Sequence, residues 1–534
     1  MNTWYAVLGL LLVLVSARSV QGQARIAVEP LPSSACSGQF VAHDLPHLTR
    51  TNAEPITTFD SNGAGLAIND LNGDGQLDIV LANLDGPVTL LWSQGAGLFD
   101  AEVLDVPGRA RGVLAVDVEG DDWTDLLITT QLGAPVMLRN QRDGTFALEV
   151  LPGVERPAYA MDWADSDGDG DLDFATASYD ADLEKTLRDT FLFGDGAGVF
   201  YYEQQDGQFV HTRLAESAQA LAVMFTDFSN DGLPEIAVGN DFAVADQFWQ
   251  RGEAGWIPYS PFEQTTHSTM SFAVGDIQND GIPEFFATDM KPYVGENQTN
   301  WTPVLRLLQA RGDRPDDEQI PENMLQVRAN DSFSNRARLS NAFATGWSWS
   351  AKFGDLNSDG WLDLYVVNGM IAEDLFGHLP GNELVEENQA LRNQNGRIFV
   401  PAPEWALNST RSGRSMSMAD LDGDGDLDIV VNNLATAAQW FENQICGGDN
   451  LIVRLRDETT LNTMAIGAQV RLVSRDGTRS RTVRASSGYL SGDPAEVHFG
   501  VPVGSESLTL EVTWPDGEVT TTDVPPNSRV TLHR

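Results

Sequence analysis

Seven times along this 534-residue chain an aspartate opens a nine-residue run with oxygen-bearing side chains at positions 1, 3, 5 and 9. The sets are Asp70, Asn72, Asp74 and Asp78; Asp117, Glu119, Asp121 and Asp125; Asp165, Asp167, Asp169 and Asp173; Asp227, Ser229, Asp231 and Glu235; Asp276, Gln278, Asp280 and Glu284; Asp355, Asn357, Asp359 and Asp363; and Asp420, Asp422, Asp424 and Asp428. Position 7 adds a backbone carbonyl, and a glycine at position 6 in all but the second run allows a sharp bend. So many hard oxygen donors on one short turn suit Ca²⁺ rather than Zn²⁺, in the manner of a shortened EF-hand loop set between strands. Asp-Gly hairpin turns alone would not need further acids at alternate positions. The expectation is up to seven bound Ca²⁺.

The runs differ in quality. Those beginning at 70, 165, 355 and 420 meet the pattern throughout. Those at 227 and 276 place Ser229 and Gln278 at position 3 and the longer Glu235 and Glu284 at position 9, which predicts weaker binding. The run at 117 departs furthest, with the long Glu119 and with Asp122 where the bend wants glycine.

Elements that repeat with the runs must hold them. Two and four residues before each first aspartate the side chains are apolar or small, as in Leu66 and Ile68, Met161 and Trp163, and Met416 and Met418. That period of two predicts a strand with a buried face. Apolar stretches such as Ile79-Val-Leu-Ala82 follow each run, as strands stacked between sheets require. A third strand and a Gly-x-Phe signal before a fourth complete the unit, as at Gly97-Leu-Phe99, Gly144-Thr-Phe146 and Gly207-Gln-Phe209. Four strands repeated seven times predict an all-β, seven-bladed β-propeller. The seventh unit lacks its Gly-x-Phe, and the missing copy is Gly38-Gln-Phe40 near the N-terminus. The ring is therefore expected to close with an N-terminal strand, which would bring Cys36 beside Cys446, the two cysteines of the chain, as a disulfide.

The formal charge of −44 excludes nonspecific nucleic-acid binding and would repel anionic membranes. Its distribution marks a boundary: residues 450–534 hold 9 basic against 10 acidic residues, whereas 25–449 hold 23 against 67. Residues 1–24, with the apolar run Trp4 to Val15, read as a secretory signal. Residues 25–449 read as the propeller, and 450–534, with Asp476-Gly477 and Asp516-Gly517 turns, as a small β-sandwich or barrel. No later segment reaches membrane-spanning length. A secreted, extracellular location, or the periplasm of a Gram-negative bacterium, is expected.

The acidic runs and Gly-x-Phe signals resemble the FG-GAP (VCBS) repeats of integrin-alpha-like propellers. The C-terminal segment resembles the ASPIC/UnbV domain through Ile466-Gly-Ala468, Gly488-Tyr-Leu-Ser491, His498-Phe-Gly500 and Trp514-Pro-Asp-Gly517. Repeats and domain stand in the order found in the cartilage acidic protein family. The resemblance implies extracellular calcium binding and adhesion, without naming a reaction or a ligand.

Longer spacings in the third, fifth and sixth repeats predict insertions at 179–189, 291–328 and 369–392, all on the face opposite the acidic loops. Functional loops on a rigid scaffold are common. Tyr293 and Trp301 lie on the longest insertion. Arg111, Tyr159, Trp349 and Arg414, six residues before their aspartates, would line the same mouth. Two arginines and two aromatics could hold an anionic or glycan ligand. Arg311-Gly312-Asp313 and the sequons at Asn297, Asn300, Asn330 and Asn408 also fall in this chain. Without a nucleophile motif or a His-rich metal set, the composition favours a binding or adhesion module for a glycan or protein. The alternative is an extracellular polysaccharide lyase or hydrolase on a calcium propeller.

Overall fold

The computed structural model describes residues 24–188, 197–242, 244–293, 299–310, 319–329, 332–475, 477–505 and 508–534. Residues 1–23 of the expected signal segment, the Arg311–Asp313 triplet, Asn297, Asn330 and Asp476 of the expected Asp476-Gly477 turn lie outside them. Among the described residues, antiparallel pairing gives seven four-stranded units, the first two joined through Ser491–Gly492 into one nine-stranded sheet and the sixth lengthened by Met290–Lys291. Blade one comprises Leu66–Asn69, Asp78–Leu81, Val88–Ser93 and Phe99–Leu104. Blades two to seven open on Ala110–Val116, Ala160–Ala164, Ala220–Thr226, Phe272–Gly275, Gly346–Gly354 and Gly413–Ala419. Each acidic run joins a first strand to a second. The first strands of blades one and two, and those of blades three to seven in succession, pack side by side, and that of blade seven returns to that of blade one. Pressed between neighbours on both faces, Ala110–Val116 and Gly413–Ala419 are buried throughout, while the outer strand Phe99–Leu104 is largely exposed.

Val41–Leu48 closes the ring by pairing antiparallel with Ala437–Glu442, Val41 opposite Glu442. Cys36 and Cys446 are disulfide-bonded across 410 residues of sequence. A repeated side-chain strap joins blades. Asn443 Nδ2 donates to the carbonyls of Leu427 in its own blade and Leu356 in the previous one (3.1 and 3.0 Å). Asn393 does the same to Leu362 and Ile277, and Asn140 to Thr124 and Leu71. Each strap satisfies two carbonyls that burial would otherwise leave without partners.

The C-terminal domain is a sandwich of two four-stranded sheets around one core that includes Leu451, Val470, Phe499, Leu510 and Trp514. One of its strands comes from the far end of the chain. Charge alone groups residues 25–30 with the propeller, but Arg25–Pro30 pairs with Ser528–His533 as an outer strand of the sandwich. An exposed edge strand carries too little composition to reveal its partner.

Candidate metal loops and the domain seam

Each loop is wound around its first aspartate. Asp70 Oδ1 accepts the backbone N–H groups of Gly73 and Asp74 (2.8 and 3.2 Å), and Oδ2 that of Gly75 (2.9 Å). Asp355 and Asp227 are held alike. The ninth residue ties the loop to its blade: Asp78 accepts Leu71 N–H from the loop and Ser93 N–H from the third strand (3.0 and 2.8 Å). Asp125, Asp173, Asp363 and Asp428 repeat this double role, while Glu235 and Glu284 take the loop amides of Phe228 and Ile277.

With these amides satisfied, carboxylate oxygens still converge. Ligand atoms of Asp165, Asp167 and Asp169, of Asp227, Asp231 and Glu235, and of Asp420, Asp422 and Asp424 lie within 4.8 Å of one another. Burial, aided by neighbouring carboxylates, pushes Asp78 and Asp355 up to about 7, Glu284 to about 8 and Asp426 to about 9. Acids so placed resist ionising together unless a cation joins them. The oxygen-only donor sets fit Ca²⁺.

The loop at 117 is built differently. It holds four carboxylates at the ligand positions but, like the loops at 70, 276 and 355, it is not among the three whose ligand atoms converge. Arg139 pairs with Glu119 and Arg142 with Asp121, while Thr463 of the sandwich donates to Asp117 Oδ2 at 2.6 Å. Asp122 takes the glycine's left-handed conformation at φ 68°. Two of its four ligand side chains are thus paired with arginines, where the loops at 165 and 420 have one such pair each, Arg251 with Asp167 and Arg529 with Asp420.

The sandwich sits on this loop face. Arg529 pairs with Asp420 at 2.7 Å, Arg479 donates to Gly360 O, Asn462 N–H to Gly170 O, and Ser480 N–H to Asp276 Oδ2. From it a segment enters the ring and touches every blade. Ser491 pairs with Leu66 and Val113; Ser486 Oγ donates to Asp162 (2.6 Å), and Arg484 to Phe225 O (2.9 Å). Gly488 N–H bonds Phe272 O, Tyr489 N–H bonds Ser350 Oγ, and Asp493 pairs with Lys352 and accepts Ser417 Oγ.

That segment corrects the expected ligand mouth. Tyr159, Trp349, Arg111 and Arg414 are buried and form the socket of the segment and its cover rather than a surface. Tyr159 and Tyr489 hydroxyls meet at 2.6 Å, and the Trp349 ring lies 5.1 Å from that of Tyr489. Arg414 stacks over Trp349 and donates to Ser61 O, while Arg111 pairs with Asp182 and donates to Asn62 O. Trp301 is likewise buried, donating to Glu386 at 2.9 Å, and Tyr293 is half-buried. A large polar side chain at the start of an inner strand needs a partner, and here the partners come from distant parts of the chain.

The insertions do gather on the opposite face. Helices α1 (Asp180–Leu187) and α3 (Glu373–Phe376) meet the turn Thr58–Ser61, and α2 (Thr302–Ala310) packs on α3. Thr58 donates to Asp374, and Lys185 to Thr57 Oγ1. Between the loops and the sandwich, by contrast, a cleft of about 480 Å³ remains, bounded by Asp227, Asp276, Asp355, Lys352, Arg481 and Arg484 among others. No signal within a single repeat could have pointed to it, because half its wall belongs to the other domain. Among the described residues no helix is long and apolar enough to cross a membrane.

Comparison with known proteins agrees with this architecture. The FG-GAP-like repeat model matches residues 70–128, 117–176 and 374–431, and the ASPIC and UnbV model matches 458–534. Cartilage acidic protein 1 of Homo sapiens is 33% identical over 143 residues, 26% of this chain and 21% of that protein. The Mus musculus protein is 33% identical over 143 residues, 26% of this chain and 22% of its own length. The match thus spans about a fifth of these relatives. Among solved structures, the BP39L lectin from Burkholderia pseudomallei has a TM-score of 0.42 at 14% identity, covering 72% of this chain and 99% of that one. BBS1N in complex with ARL6DN has a TM-score of 0.37 at 11% identity, covering 74% and 96%. Neither likeness bears on function. This chain carries FG-GAP-like repeats followed by an ASPIC and UnbV domain, and through them it resembles cartilage acidic protein 1.

Proposed function

We propose that the chain is an extracellular calcium-binding propeller that serves as a binding module for a glycan or protein and not as an enzyme. The observation that carries this reading is the convergence of carboxylate oxygens in the loops at 165, 227 and 420, on acids that burial pushes upward. The disulfide and the FG-GAP-like repeats favour an oxidising, extracellular setting. Six loops would hold Ca²⁺ through the residues at positions 1, 3, 5 and 9, and the loop at 117, with Asp122 at its bend and two ligand side chains paired with arginines, would hold none. Metal binding would then belong to folding, since it removes repulsion that the empty ring contains.

The test is twofold. Native mass spectrometry of the full chain should count six calcium ions, and a glycan and matrix-protein array should show binding that chelator removes. No retained calcium would overturn the metal reading, and turnover of a polysaccharide would overturn the non-enzymatic one.

A further inference from the structure

The loop at 227 is the one the sandwich leaves alone. Among the described residues no hydrogen bond from the C-terminal domain reaches it; Arg484 stops just short, donating to Phe225 O and Thr226 Oγ1 (2.9 and 3.2 Å). Nothing lies within 4 Å of the position a Cβ on Gly232 would take. Asp227, Asn230, Asp231 and Gly232 form part of the wall of the 480 Å³ cleft. Its carboxylates converge, but its third position is only the hydroxyl of Ser229. Since Ca²⁺ takes six to eight oxygens, this loop has the most need of one from outside.

The facing wall mixes both signs, with Asp493 and Glu496 beside its arginines, and Glu496 is paired with Arg454. Arg481 and Arg484 line it from the sandwich, and Lys352 from the propeller. Lys352 is committed to Asp493. Arg484 is spent on Phe225 and Thr226. Arg481 donates through Nη1 to Ser480 O, but its Nη2 is buried and has no hydrogen-bond partner. A buried guanidinium nitrogen without a partner is costly and calls for an acceptor. Asp276 and Asp355 lie near enough to favour its charge, yet neither forms an ion pair with it. Both are loop ligands under the calcium reading. The cleft volume falls in the range of small-ligand sites.

We infer that this cleft is a binding site for a carboxylate-bearing saccharide of the uronate type, with oxygens completing the coordination at the 227 loop and a carboxylate accepting from Arg481. The inference rests on the calcium reading above. The lining mixes apolar groups such as Phe353 and Met418 with these polar ones, as the two faces of a sugar ring require.

The probe is digalacturonate, titrated calorimetrically into the full chain with calcium, with calcium counted on the same samples. One saturable site is expected, lost in chelator. Asp231→Asn should lose one calcium ion and the saccharide together. Arg481→Gln should weaken binding about tenfold, the loss of one charge-assisted contact, with the calcium count unchanged. Gln469, exposed on a strand of the sandwich and lining the cleft, offers a variant away from the core: Gln469→Trp should block the saccharide and keep every ion. A calcium-loaded chain that ignores digalacturonate at millimolar concentration, or equal binding by Gln469→Trp, would overturn the site alone. Equal binding of neutral digalactose would overturn the role of Arg481. A chain without calcium would instead overturn the reading beneath it, and the ion count tells the two apart.

Discussion

The ring has two mouths, and they are closed in opposite ways. On the insertion side the cover is local: helices from two blades meet the Thr58–Ser61 turn and a third packs on one of them, and Arg111 and Arg414 bind backbone carbonyls and Asp182, leaving Arg111 Nε and Arg414 Nη2 without a partner. On the loop side a separate domain sends in Ser486–Asp493 and rests on the loop tips, leaving a cleft of about 480 Å³ where its edge lifts off the 227 loop. Insertions that grow from the blades pack against them closely. A domain with its own core touches only where its shape allows, and the mismatch leaves space. The side with the added loops is thus the more self-contained, and the side with the short acidic loops keeps an open cleft.

The sharpest way to break this contrast is at Tyr489. Its side chain is buried among Tyr159, Trp349 and the Gly63 amide, so Tyr489→Ala should cost about 3–5 kcal/mol. Denaturant unfolding should then separate into two transitions as the sandwich uncouples from the ring. One cooperative transition of unchanged midpoint would mean that the inserted segment does not join the domains.

Next in size is the disulfide, which closes the ring at neither mouth. Cys446→Ser should lower stability by about 2–5 kcal/mol, because the bond restricts a very long loop of the unfolded chain. Calcium counted by mass spectrometry should stay the same. A lost ion would show that closure and loop geometry are coupled.

The smallest expected effect belongs to the insertion side and sharpens the comparison through pH. Burial pushes Glu386, Asp289 and Asp246 up to about 7. Their folded values lie above the ordinary range near 4, so the fold holds these protons more tightly than the unfolded chain. The resulting stability is complete below about pH 4 and is lost as pH rises through about 7. Calcium-saturated protein should therefore melt lower at pH 8 than at pH 6, and Glu386→Gln should remove part of that slope, on the order of 1–3 kcal/mol. An unaltered slope in the variant would place the titration elsewhere. In chelator the loop acids should steepen the fall, since Asp78 and Glu284 are raised in the same direction.

Much of the propeller was legible because its information is local. An acidic run, a period of two before it and a Gly-x-Phe after it lie within one repeat, and the absent signal after Glu442 pointed to the strand that supplies Val41–Leu48. Glu119 and Asp122 marked the 117 loop as different in the sequence, although its arginine partners did not show there. Two features were hidden for a physical reason. The straps at Asn140, Asn393 and Asn443 are single polar residues whose acceptors lie partly in another blade. The partner of Tyr159 and Trp349 is Tyr489, more than a hundred residues further along and in the other domain. Gly488-Tyr-Leu-Ser491 stood out as a motif, but no periodicity says that a motif of one domain fills the centre of another. Arg111, Tyr159, Trp349 and Arg414, expected to line an open ligand mouth, are instead buried packing around Tyr489 and its cover.

The central claim is that the acidic loops hold calcium as part of the fold, and thermal unfolding of the full chain in excess EDTA at low salt tests it most directly. The melting temperature should fall strongly and return when millimolar calcium is restored, as expected for sites of the extracellular type that bind at roughly 10⁻⁴ to 10⁻³ M. A melting temperature that is the same with and without chelator would contradict it.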